Sequence, residues 1–247
     1  MSHPEQVGFF KAVVDANRTF LEDASVLEIG SYDVNGTVRK LFAAAGHYVG
    51  VDLVEGPGVD VVGYGHEVGH DDGSYDLTIS GECFEHDPHW RKTFLNMVRM
   101  TRSGGLVAFS CASRGRPEHG TTRSDKTLSP GTQAVGLDYY RNLVDSDFEQ
   151  TLPLGSMFTN YRFWYLHTHF DLYFAGIKAG DSGGRRDARL PEDAAVKRLV
   201  SLMPLKHKAV RAPLRVLSTI LPEPRYQSVV LPYWSTLLRL APDQQRR

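Results

Sequence analysis

Several things are scarce in this chain, and each scarcity excludes something. Its 247 residues include two cysteines, Cys83 and Cys111. That is too few for a disulfide framework and suits a reducing compartment. No apolar run reaches the length of a membrane span, and the opening MSHPEQVGFFK lacks the basic-then-apolar form of a secretory leader, so a cytoplasmic protein is expected. A formal net charge of −1 provides no global attraction to nucleic acid, and none is expected as a partner. G-x-G-x-x-G is missing too, which weakens the case for a nicotinamide-dependent dehydrogenase. What remains, 41% hydrophobic and 23% charged residues, is enough to bury one main core.

The charge is unevenly spread. From residue 204 to 247 there are eight Lys or Arg against Glu223 and Asp243, a balance of +6 that leaves −7 for the first 203 residues. The chain divides accordingly. Residues 1–180 alternate apolar strands with amphipathic segments, the pattern of a doubly wound, Rossmann-like α/β sheet of seven strands with flanking helices. Expected helices are 4–23, 36–45, 88–101 and 138–150; expected strands are 26–29, 48–53, 59–63, 75–80, 106–111, 161–167 and 171–178. Residues 179–193 (AGDSGGRRDARLPED) read as a polar linker. Residues 181–247 as a whole form a linker and a basic, helical or irregular C-terminal extension, interrupted between 194 and 241 by five prolines.

The richest stretch is VLEIGSYDVNG, residues 26–36. An apolar strand ends there in Glu28 and Gly30 ahead of a turn through Ser31, Tyr32, Asn35 and Gly36, the form of a nucleotide-binding turn. The second strand ends in Asp52, followed by Leu53. A carboxylate there, twenty-two residues after Gly30 by subtraction, is placed to accept hydrogen bonds from both ribose hydroxyls of an adenosine ligand.

Further along come VVGYGHE (61–67), SYDLTIS (74–80) with Tyr75 and Asp76, and GGLVAFS (104–110). With Glu28, Gly30 and Asp52, six features in this order and spacing resemble the class I S-adenosylmethionine-dependent methyltransferases, over roughly residues 20–180. The resemblance implies that S-adenosyl-L-methionine binds through Glu28, Gly30, Ser31, Tyr32, Gly36, Asp52, Leu53, Tyr64, Gly65, His66 and Ser80, with Glu28 near the methionine amino group. Two positions depart from the family pattern. Tyr32 stands where a second glycine is usual, and Tyr64 replaces the acidic residue that faces the adenine amino group.

Three further constellations bear on the reaction. GECFEHDPHW (81–90) contains E-x-x-E-H at Glu82, Glu85 and His86; if the first turn after the strand is helical, these share a face. They would suit a hard divalent cation such as Mg2+, or His86 would act as a general base. The stretch resembles the small-RNA 2′-O-methyltransferases and the ubiquinone-pathway O-methyltransferases, in which a divalent metal is held by such residues with a further downstream histidine; no equivalent is evident near Asp138. Residues 110–123 (SCASRGRPEHGTTR) open a long polar lid or substrate loop bearing His119, a second candidate base, or simply a solvated loop. YRFWYLHTHFDLYF (161–174) places His167 and His169 on one strand face, which fits a half-buried hairpin at least as well as a metal site.

The reading is therefore an O-methyltransferase acting on a carbohydrate or small-molecule hydroxyl. Two alternatives stay open: a metal-free natural-product N- or O-methyltransferase, and an inactive cofactor-binding partner protein. The basic extension would form a dimer surface or touch an anionic membrane peripherally, although its prolines argue against one continuous flat-lying helix.

Overall fold

The computed structural model describes residues 3–184 and 186–240. The expected tail charges Asp243, Arg246 and Arg247 lie outside the described residues. The first element is helix α1 (Pro4–Ala16), started by a proline at its first turn and capped by His3 Nδ1, which accepts from the Gln6 amide. Then come strands β1 (Ser25–Ile29), β2 (His47–Asp52), β3 (Val61–Val62) and β4 (Tyr75–Gly81), helix α2 (Trp90–Met100), and strand β5 (Thr101–Ala112). Helices α3 (Pro130–Ala134), α4 (Asp145–Glu149) and α5 (Leu154–Met157) lead to the closing hairpin of β6 (Phe158–Leu166) and β7 (Asp171–Lys178). The extension carries α6 (Asp193–Arg198), α7 (Leu205–Ile220) and α8 (Glu223–Leu240).

The seven strands lie in the order β3-β2-β1-β4-β5-β7-β6. β1 to β5 run parallel, while β7 is antiparallel to both its neighbours. Strand order reverses between β1 and β4, and the diverging loops at their carboxyl ends leave a crevice there. Each face of the sheet has its own core. On one face Trp90, Phe94, Phe109, Phe148 and Phe174 pack around α2; on the other α1 presents Phe9, Phe10 and Val13 to Leu77, Leu106, Trp164 and Tyr173. Parallel strands covered on both sides read as continuous apolar runs, which is why β1, β4 and β5 were visible in the sequence.

Several elements differ from expectation. The helix expected at 36–45 is only a 3-10 turn, Arg39–Phe42. Gly36 at φ 125° takes the backbone out of the helical region where that helix would start. The helix expected at 138–150 shrinks to α4, because the preceding residues run extended and give their amides elsewhere: Arg141 to the Glu85 carbonyl (2.9 Å) and Leu143 to that of Ala112 (3.0 Å). The expected 59–63 strand contracts to β3, whereas β5 begins five residues early. In the extension, Pro213 and Pro232 do not interrupt α7 and α8. Both prolines face outward, where water can bond the carbonyl that a proline leaves without an amide. Among the described residues no helix is long and apolar enough to cross a membrane.

Candidate active site

The crevice at the switch point is a cavity of about 1070 Å³, including its open mouth. Its floor is the turn after β1. Gly30 has φ 82°, and a Cβ there would come within 2.7 Å of Cys83 Cβ, so this turn needs glycine for both conformation and space. Glu28, Gly30, Ser31, Tyr32, Gly36, Asp52, Leu53, Tyr64, Gly65 and His66 all line the cavity. Ser80 does not; it stays inside β4, fully buried. Tyr32 is accommodated because its ring lies over Gly56, where a Cβ would come 2.2 Å from Cε2.

Two carboxylates stand at defined places on the cavity wall. Asp52 Oδ2 accepts from the Tyr32 amide (3.0 Å) and Oδ1 from the Leu53 amide (2.7 Å). These bonds lower its pKa while burial raises it, and burial prevails. Glu28 Oε2 accepts from the Tyr48 hydroxyl at 2.7 Å. Burial nevertheless pushes Glu28 up to about 7. The turn after β3 is fixed from behind by Asn96, whose Nδ2 donates to the carbonyls of Gly65 (2.9 Å) and Val68 (3.0 Å).

The E-x-x-E-H run is divided by the fold. Glu82 has φ 52°, so the turn after β4 starts left-handed rather than helical, and only Phe84–His86 forms a 3-10 turn. Glu82 therefore joins a different group of charges. Arg116 bridges it to Asp171, at 3.7 Å and 2.9 Å, and His3 Nε2 lies 2.7 Å from Asp171. His169 stacks on His3 and faces Glu5, and both His167 and His169 fall in the turn after β6, so the expected histidine pair on one strand face does not form.

Glu85 and His86 meet His119 instead, with one ligand atom from each lying within 4.8 Å of the others. All three are buried. This corrects the expected metal set of Glu82, Glu85 and His86. The further histidine comes from the loop after β5, and Gly120, at φ 71°, lets that loop close on His86. The chemistry of the trio fits a divalent cation. Both Glu85 oxygens and His86 Nδ1 are buried without hydrogen-bond partners, and His119 Nδ1 lies 3.3 Å from the Pro117 carbonyl, leaving Nε2 towards Glu85 (4.0 Å). Burial holds His86 down to about 3 and His119 well below its ordinary value, and it raises Glu85 to about 8 with help from the Glu82 charge. The imidazoles are thus neutral at physiological pH. His86 borders the cavity; His119 stands behind it.

Part of the wall was not anticipated. Gln6 arrives from the start of α1 and lies against Gly81, a contact that no local motif announces. Leu128 to Thr132 and Leu137 close the opposite side, and Gly131 sits so near Asp52 that a Cβ would come within 2.9 Å of Oδ1. The Pro130–Gly131 pair was the available signal, since it marks a short helix start approaching another backbone.

Residues 27–109 match the family described as "Methyltransferase domain". No curated protein matches the chain. Among solved structures it is similar to the YcgJ protein of Bacillus subtilis, with TM-score 0.51 and 14% identity over 72% of this chain and 100% of that one. It is also similar to the 1,6-didemethyltoxoflavin-N1-methyltransferase of Burkholderia thailandensis, with TM-score 0.48 and 18% identity over 70% of this chain and 79% of that one. At such identity the likeness speaks to the fold. The run from β1 into β5 is thus similar to a methyltransferase domain, and it sits in a seven-stranded sheet of Rossmann-like strand order.

Proposed function

We propose that this protein is an S-adenosylmethionine-dependent methyltransferase that transfers the methyl group to a hydroxyl oxygen of a carbohydrate or similar polyhydroxyl acceptor. The observation that carries the reading is the buried trio of Glu85, His86 and His119 at the edge of the cofactor cavity. A neutral amine attacks a sulfonium methyl unaided, whereas an alcohol is a poor nucleophile until its proton begins to leave. A site that sets a neutral imidazole, His86, beside the methyl donor is therefore suited to oxygen. Gln6, Glu82, Asp87 and Ser129 add polar groups to the same cavity, which favours a polyhydroxyl acceptor over an apolar one.

In this mechanism Asp52 binds the ribose hydroxyls and Glu28 the methionine ammonium, holding donor carbon and sulfur in line with the acceptor oxygen. The oxygen forms its bond to the methyl carbon as the carbon–sulfur bond breaks, and the sulfur keeps that electron pair and leaves as the neutral thioether. The hydroxyl proton passes to the imidazole of His86, the one member of the trio that lines the cavity. His119 packs edge-on against that ring, with 5.0 Å between the ring centroids. A divalent cation bound by Glu85, His86 and His119 would supply Lewis-acid lowering of a hydroxyl pKa.

The test is transfer of labelled methyl from S-adenosylmethionine to a panel of sugars, glycans, phenols and amines, with and without EDTA. Label is expected in an ether on a sugar, with at least a hundredfold loss in His86→Ala. Asp52→Ala should weaken cofactor binding at least tenfold, the loss of bonds worth about 1.5–3 kcal/mol. Transfer confined to amines would overturn the oxygen assignment. Intact cofactor binding with no transfer to any acceptor would instead support the binding-only reading.

A further inference from the structure

The C-terminal hairpin presents a surface that methyl transfer does not use. The inner sides of α7 and α8 are satisfied: Leu214, Tyr226 and Val230 pack on Phe170, with Leu217, Leu221 and Trp234 beside them. The outer side of α7 is not covered. Leu205, Ala209, Ala212, Val216 and Ile220 recur at steps of four, three, four and four residues, which at 3.6 residues per turn makes one continuous stripe along the helix. Leu205 is 82%, Val216 57% and Ile220 68% exposed, and Leu202 continues the stripe from the preceding turn.

Charge marks what this stripe would meet. From residue 194 to 222 the chain has Lys197, Arg198, Lys206, Lys208, Arg211 and Arg215, and no acidic residue. On the helical wheel Lys208 and Arg215 flank the stripe on one side and Lys206 on the other, so long cationic side chains border the apolar surface along both edges. This is the arrangement of a helix lying in a headgroup layer, with apolar residues inward and lysines and arginines reaching up to anionic lipid. The stripe lies on a convex cylinder without a groove, a form that matches a deformable layer better than a shaped protein surface.

We propose that the outer face of α7 is a docking surface for an anionic lipid bilayer, on which the helix lies in the plane of the headgroups. The hairpin is not a loose tether. The Tyr226 hydroxyl donates to the Gly115 carbonyl (2.5 Å), and Gln227 Oε1 accepts from the Glu118 amide (2.8 Å), so α8 grips the loop that carries His119. Docking of α7 therefore holds the active site at a fixed place relative to the bilayer, irrespective of which acceptor is methylated.

The full chain would be co-sedimented with vesicles of equal parts phosphatidylcholine and phosphatidylserine, and with phosphatidylcholine alone, at low and physiological salt. Two double variants, Val216→Glu with Ile220→Glu and Lys206→Glu with Arg215→Glu, alter only outward-facing positions, and circular dichroism melts check that they fold. Binding to the anionic vesicles is expected to weaken severalfold with salt and to fall at least tenfold in each double variant. Absence of binding at low salt, or undiminished binding in the variants, overturns the proposal. So does sedimentation equilibrium showing a dimer that Val216→Glu with Ile220→Glu dissociates, since the stripe would then be an interface between two copies.

Discussion

Glu28 illustrates how a single residue joins binding to stability. Its carboxyl is buried, with one hydrogen bond from Tyr48, and burial lifts its pKa from 4.5 to about 7. A raised folded-state value means that the fold prefers the protonated form. The associated stability is fully present below about 4.5 and is lost as pH rises through about 7. Glu28→Gln keeps an acceptor for the Tyr48 hydroxyl but has nothing to ionise. The melting temperature of Glu28→Gln relative to the wild type should therefore climb across that window, by the equivalent of on the order of 3 kcal/mol at most; a difference independent of pH would show that Glu28 ionises normally. Glu28 and Asp52 could be found in the sequence because each belongs to a strand end whose motif is local. Glu82 and Glu85 looked equivalent there, and what separates them is a left-handed φ of 52° at Glu82 together with Arg116 waiting on the other side.

Among the elements, the stretch from 114 to 136 departs furthest from its composition. Its glycines, serines, threonines and charges suggested a solvated lid, yet Glu118, His119 and Thr121 are buried and tied together, with the Thr121 hydroxyl donating to Glu118 Oε1 at 2.6 Å. Polar groups can be buried when each finds a partner, and these partners come from α8 and from the loop itself. Gly120 is the hinge of the arrangement. A Cβ there would lie 2.5 Å from Ser129 Cβ and 2.9 Å from His86 Cε1, on a backbone that side chains rarely adopt. Gly120→Ala should cost about 1–2 kcal/mol in the melt and lower kcat at least tenfold by moving His86, with the affinity for S-adenosylhomocysteine changed less than threefold. An unaltered kcat would mean that His86 does not need this loop. The helix expected at 138–150 was misjudged for a related reason, since apolar spacing cannot report that a backbone amide is already bonded to a carbonyl remote in sequence.

At the scale of the whole molecule, Phe170 fastens α7 and α8 to the sheet. Phe170, at φ 63° in the turn between β6 and β7, is fully buried against Gly115, Leu214, Tyr226 and Val230. Phe170→Ala should cost about 3–5 kcal/mol. Hydrogen exchange is expected to accelerate in α7 and α8 before it does in β4, whereas equal acceleration in both would mean that the hairpin and sheet unfold as one unit.

The sequence by itself determined the doubly wound sheet, most of the segments that form its strands and the turns that line the crevice. Buried parallel strands are continuous apolar runs, and the turns at their carboxyl ends carry their own glycines and carboxylates within a few residues, so short-range patterns suffice. The tertiary structure alone decided which charges meet. His119 reaches Glu85 across 34 residues of chain (119 minus 85), Gln6 enters the cavity from the start of α1, and Glu82 leaves its neighbours for Arg116. It also decided that Pro213 sits harmlessly in α7, because only the packed hairpin establishes which side of that helix faces water. Such pairings depend on distances through space between residues remote in sequence, and no periodicity along the chain encodes them.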